Sequence, residues 1–242
     1  MPRFLPLLLL YLVPLWAWSS QWLVVTEDAP PLQYVVENEV RGITTKLVKA
    51  VVKEANLNAE LKVYPWARAL NTTIQRENTL LYSTIRTPER EDELIWIGKL
   101  GRFHLSFMAL ASNQQFSIRT PAEAKSSVIG AMRHDFTHEY LRMQGFADEN
   151  LVIRSSLPEL IDLLYKGLID SFVVDQYLIC DLVEHYSHSC DELKVALALP
   201  ELSVDVYLAA NRRSEPADLA RLIAAFKKVK ARPEYQAGFF GE

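Results

Sequence analysis

Residues 42–70 read GITTKLVKAVVKEANLNAELKVYPWARAL. Leu47, Val48, Val51, Val52 and Ala55 recur at helical spacing, so the stretch opens with a helix that Thr44 or Thr45 caps and that runs to about Asn56. Leu61 to Val63 is a short strand, and Pro65 stands where prolines favour the first position of a second helix. Outward from this core the alternation continues. WLVV at 22–25 is an apolar strand, followed by a loop that Pro30 and Pro31 keep out of regular structure. Tyr34 to Val36 is a short extended piece with a turn at Glu37–Glu39. Leu80 to Thr84 is another strand. Strands that alternate with helices point to an α/β fold with a mostly parallel sheet.

The middle of the chain repeats this plan. Strands are expected at Phe103–Ala109, Ser127–Ala131, Leu151–Ile153, Phe172–Val174 and Val195–Leu199, with helices after Arg133 and over Leu157–Tyr165. Val204–Ala210 reads as a return strand. Asp218 to about Lys230 is amphipathic, with Leu219, Leu222, Ile223 and Phe226 on one face. Two lobes follow: residues 21–108 plus 200–242 in the first, and 109–199 in the second.

The first twenty residues stand apart. Arg3 precedes FLPLLLLYLVPLWAW at 4–18, and small residues follow at Ala17, Ser19 and Ser20. That three-part pattern is a secretory signal peptide over residues 1–20. A membrane anchor needs roughly 18–20 apolar residues, and Pro6 and Pro14 interrupt this shorter run. The expected product is an exported, periplasmic protein and a monomer. The whole chain carries 26 basic and 30 acidic residues, which disfavours a nucleic-acid partner. Cys180 and Cys190 are ten positions apart. In an oxidising compartment they are either bridged or two separate thiols.

A parallel sheet places its ligand beyond the carboxyl ends of its strands. Three stretches converge there: Glu27, then Tyr64 to Trp66, then STIRTPER at 83–90 with Ser83, Thr84, Arg86 and Arg90. GITTKLVKAVVKEANLNAELKVYPWARAL, Thr87–Pro88–Glu89–Arg90 and Asp170–Ser171–Phe172–Val173–Val174–Asp175 together resemble the periplasmic solute-binding proteins of the amino-acid type, family 3. The resemblance covers essentially the whole chain after the leader. It implies the type II periplasmic-binding fold: two α/β lobes, each a mostly parallel sheet flanked by helices, joined by two hinge crossings. It also implies that a small amino-acid-like solute is trapped by hinge closure and passed to a membrane permease of an ABC importer or to a sensor. By resemblance Arg90 clamps a ligand carboxylate, Ser83 offers a hydroxyl on the same wall, and Asp175 holds an ammonium. The chain departs from the pattern at Thr44, where aspartate is usual, at Ile85, where serine is common, and at Phe136, near a usual threonine. The first affects helix capping more than ligand; the other two imply a head group held differently from that of a simple α-amino acid.

Each candidate has a structural alternative. Arg90 and Arg86 either face the cleft or pair with surface carboxylates, and Asp175 either contacts ligand or caps a helix. Trp66 and Tyr34 suit a cleft wall, where a ring packs and a polar edge bonds, but also suit a core. Arg133 opens a second-lobe helix whose first amides favour an anion. His134 and His138 have the i,i+4 spacing of a metal pair, and His185, His188 and Cys190 cluster later, but no zinc-hydrolase pattern accompanies them. No metal or cofactor is expected. The competing function is a lyase-type enzyme on the same fold, for which Glu27, Asp135 and Asp175 would be the carboxylates.

Overall fold

The computed structural model describes residues 21–236. The leader expected at 1–20 lies outside them. The first half runs β1 (Trp22–Thr26), β2 (Tyr34–Val36), β3 (Glu39–Arg41), α1 (Ile43–Glu54), β4 (Ala59–Val63), α2 (Trp66–Gln75), β5 (Thr79–Ile85), a short α3 (Pro88–Glu91) and β6 (Leu94–Leu110). β7 (Ile129–Met132), α4 (Phe136–Met143), β8 (Leu151–Arg154), α5 (Leu157–Tyr165), β9 (Ser171–Asp175) and α6 (Ile179–His185) follow. β10 (Leu193–Asn211), α7 (Pro216–Lys230) and α8 (Pro233–Gln236) close the described chain.

The main sheet has the order β4-β1-β5-β10-β6-β9-β7-β8. Each flank is parallel: β1 pairs with β4 and β5, and β7 with β8 and β9. The centre is antiparallel, with β10 against both β5 and β6, and β6 against β9. β6 and β10 are long enough to serve both flanks, and they are the two crossings between the lobes.

The sequence reading sees only pieces of these two strands. Gly98, Lys99, Gly101 and Arg102 break the apolar pattern of β6, and Pro200 breaks that of β10. Pairing with each other satisfies their backbone groups regardless of side-chain pattern. A register shift between Ala198 and Ser203 absorbs the proline.

Three apolar clusters hold the layers. Trp22, Val24, Leu47, Val51, Leu208 and Phe226 pack the sheet against α1 and α7. Val25, Trp66, Ala69, Leu81, Leu160 and Phe172 form a second cluster that includes residues of α2 and α5. Phe107, Ile129, Leu141 and Phe146 belong to the third, which takes in α4.

The start of α1 corrects the expected cap. Gly42 is the N-cap and no side chain caps the helix, while Thr44 and Thr45 lie buried in its first turn. The loop before it supplies the acceptors instead. Ile43 N–H donates to Pro31 O at 3.1 Å and Thr44 N–H to Leu32 O at 3.0 Å. Two of the orphan donors of a helix start are thereby satisfied by backbone.

Cys180 and Cys190 are joined in a disulfide that ties α6 to the segment entering β10. The bridge closes a loop with a sequence separation of 10. Changing both cysteines to serine is expected to cost about 3 kcal/mol, by the chain-entropy argument for so short a loop. Urea unfolding of the double variant beside the oxidised protein measures this, and coincident midpoints would show that the bridge adds nothing.

Candidate functional site

The carboxyl ends of β1 and β5 meet those of β7 and β9 across the two crossings, and a cavity lies between them. Its free volume is about 80 Å³, several times what one water needs. From the first lobe it is lined by Glu27, Gln33 and Ser83, and from the second by Asp135, Thr137 and Asp175. The remaining wall is apolar and includes Ile85, Leu105, Met132, Val173 and Leu182.

Ser83 reaches the cavity because β5 bulges there. Tyr207 of β10 faces Thr84 and Leu208 faces Tyr82, so Ser83 is passed over. It adopts the left-handed conformation, with φ 61°. A bulge of this kind turns one side chain away from the regular pleat. Ser83 Oγ lies 2.7 Å from the side-chain amide of Gln33, which is buried on the loop between β1 and β2.

The second-lobe wall is built from backbone caps. Asp135 is the N-cap of α4, where Oδ2 accepts from Thr137 N at 3.2 Å and Thr137 Oγ1 at 2.7 Å. Asp175 ends β9, and its carboxylate accepts from three backbone amides: His104 at 2.7 Å, Tyr177 at 2.8 Å and Leu178 at 2.9 Å. Burial pushes its pKa up, and those amides pull it back. Asp175 thus braces the end of β9 to β6 as well as lining the cavity.

Glu27 sits at the end of β1. Burial drives its carboxyl well above the usual carboxylate range, Asp135 and Asp28 push the same way, and Arg90 opposes them.

Arg90 is buried and close enough to Glu27 and Asp135 to interact with both, but is not among the residues that line the cavity. Its Nη1 donates to Ile85 O at 3.0 Å and is 3.5 Å from Thr84 Oγ1. Its Nη2 donates to His134 O at 3.3 Å, in the second lobe. The guanidinium lies 5.2 Å from the Trp66 ring centre, and Trp66 Nε1 donates to the same His134 carbonyl at 2.8 Å. His134 presents that carbonyl from a left-handed turn, with φ 58°. Two further contacts cross between lobes: Tyr186 Oη donates to Asp28 at 2.7 Å, and Tyr34 and His185 rings stand 5.1 Å apart.

The structure therefore sorts the candidates. Glu27, Ser83 and Asp175 line the cavity. Trp66 borders a more open depression beside it that shares Glu27. Thr84 and Arg90 are buried and line neither space, and Tyr34 lies on the β2–β3 hairpin, against α6. Arg86 and Arg133 are exposed and line neither space. Arg86 pairs with Glu91, because Ile85 takes the inward position at the strand end. Arg133 turns outward where the chain reverses at His134, leaving Asp135 to cap α4. The histidines do not gather: Cys190 is in the disulfide and His188 stacks on Tyr165 at 4.1 Å. Among the described residues no three His, Cys, Asp or Glu are grouped to hold a metal.

Sequence reading missed Gln33 and Thr137. Gln33 had one signal, a lone amide inside the apolar run after Pro31. Thr137 lies one position beyond Phe136, where the family pattern places a threonine.

The model of the family described as bacterial extracellular solute-binding proteins, family 3, matches residues 23–238. No curated protein matches the sequence. Solved structures match in fold. A histidine kinase sensor domain with similarity to periplasmic binding proteins superposes with TM-score 0.80 at 15% identity, covering 90% of this chain and 93% of its own. The arginine-, lysine-, histidine-binding protein ArtJ from Geobacillus stearothermophilus gives 0.75 at 19% identity, covering 86% and 89%. An ancestral arginine-binding protein bound to arginine gives 0.76 at 18% identity, covering 89% and 95%.

Proposed function

This chain belongs to the bacterial extracellular solute-binding proteins, family 3, and from that premise we propose that it holds a small solute with an amino-acid-like polar head in the cavity between its lobes. The observation that carries this reading is the cavity itself. Polar groups enter it from both lobes, so an occupant bridges Glu27, Gln33 and Ser83 to Asp135, Thr137 and Asp175. Such a bridge favours the closed over the open arrangement by its differential contacts. The apolar wall takes the body of the solute, and water exclusion on closure strengthens each polar contact.

The closed form is then read by a membrane permease or by a sensor, with the protein in the periplasm. Solved structures of this fold include both a sensor domain and the substrate-binding protein of an amino acid ABC transporter, and either partner suits the architecture.

A thermal-shift screen of refolded, ligand-stripped protein tests the reading with amino acids, amines, small peptides and organic acids. A true solute at a hundred times its Kd adds about 2.7 kcal/mol to stability. For a chain of this size that raises Tm by roughly 5–10 °C. No dose-dependent rise with any solute would refute it.

A further inference from the structure

Resting on the solute-binding reading, the balance of donors and acceptors in the cavity narrows the class of solute. Among the described residues three carboxylates, two hydroxyls and one amide line it, and no lysine, arginine or histidine does. The nearby cation, Arg90, is committed to Ile85 O, Thr84 and His134 O.

Gln33 decides which kind of group is wanted. It is 1% exposed. One end of its amide, placed as Oε1, lies 2.7 Å from Ser83 Oγ and 2.8 Å from Thr44 Oγ1, while the other end has no partner. Thr44 Oγ1 is also 2.6 Å from Leu32 O. A hydroxyl has one proton, and a carbonyl can only accept it. The Gln33 atom beside Thr44 must therefore donate. Exchanging the amide's two ends, which leaves the heavy-atom positions unchanged, puts NH2 against both hydroxyls. The group left without a partner is then the amide oxygen. A buried acceptor without a donor is costly; this end of the amide is enclosed, and a ligand N–H that reaches it when the lobes open removes that cost.

We propose that the cavity binds a small organic amine through its N–H donors, with Glu27 as counter-ion and the Gln33 amide oxygen as second acceptor, and that a ligand carboxylate is not recognised. Leu105, Met132, Val173 and Leu182 take the apolar body. Arg90 serves as a latch between lobes through His134 O. The groups that face Glu27 are Asp135, Asp28 and Arg90, and Glu27 also interacts with Tyr186. An arriving ammonium favours the ionised carboxylate, which offsets the burial that favours the protonated one.

Calorimetric titration with matched pairs tests this: isobutylamine against valine, isoamylamine against leucine, phenethylamine against phenylalanine, agmatine against arginine, and isovalerate as carboxylate alone. At least one amine should bind as tightly as its amino acid, within threefold, or tighter, and isovalerate should not bind. Arg90→Ala should weaken that amine and its amino acid by the same factor. An amino acid that binds more than threefold tighter than its amine, with the preference lost in Arg90→Ala, would overturn the proposal while leaving solute binding intact. A thermal-shift response to an unrelated solute, with no amine bound, would overturn it in the same way. Silence from every compound in both experiments would remove the solute-binding reading itself.

Discussion

Glu27→Gln is expected to lower affinity for the solute about 10- to 100-fold. A hydrogen bond to a charged partner contributes about 1.5–3 kcal/mol, and about 1.4 kcal/mol is tenfold. The same variant should change the pH dependence of folding. Glu27 has its carboxyl pKa raised by burial and by Asp135 and Asp28, above its ordinary value of 4.5. Between the unfolded and folded values, the native state holds a proton that the unfolded chain has released. Stability therefore falls as pH rises through that window and levels off above the folded value. Asp175 is shifted in the same direction, so it adds a like slope to both proteins, and the difference between them isolates Glu27. Urea unfolding from about pH 4 to pH 8 reads it: the wild type should lose ground to Glu27→Gln as pH rises. Parallel curves would show that Glu27 is not held in its protonated form. Affinity should follow the opposite course. Because an ammonium favours ionised Glu27, the wild type should bind better as pH rises through the window, and the glutamine variant should stay flat.

Gly42→Ala should cost more than any other single methyl added to a glycine on the site's supporting loops. Its φ is 119°, a region side chains rarely enter, and a Cβ there would lie 2.2 Å from Leu32 O, 2.5 Å from Leu32 C and 2.8 Å from Gln33 Cα. All three are backbone atoms, so no rotamer change relieves the overlap. The loop they belong to caps α1, through Pro31 O and Leu32 O. Backbone strain and overpacking together should destabilise by about 3 kcal/mol or more. Displacing the loop also moves Gln33, so solute affinity should fall in whatever fraction still folds. Gly167→Ala is the matched control. It has φ 66° with nothing within 4 Å of the added carbon, and should cost only about 1–2 kcal/mol for the left-handed conformation. Equal urea midpoints for the two variants would rule out the close approach at Gly42.

The sequence alone determined the fold class and most of the elements, though not the extent of the longest strands. Helical spacing at Leu47, Val48, Val51 and Val52, and apolar runs such as WLVV, are local properties of the chain, and they identified the alternating architecture and the strand ends where Glu27, Ser83 and Asp175 lie. Only the tertiary structure showed that β6 and β10 are continuous, because their stability comes from pairing with each other across Gly98, Gly101 and Pro200 rather than from their own pattern. It alone turned Arg86 and Arg133 outward and spent Arg90 on His134 O, since a long side chain's direction depends on partners distant in sequence. Gln33 joins the cavity lining beside Thr44 and Ser83, brought to it by the loop before α1 and the bulge in β5. Those contacts join residues up to fifty positions apart, and no periodicity in a single chain records which acceptors they leave unsatisfied.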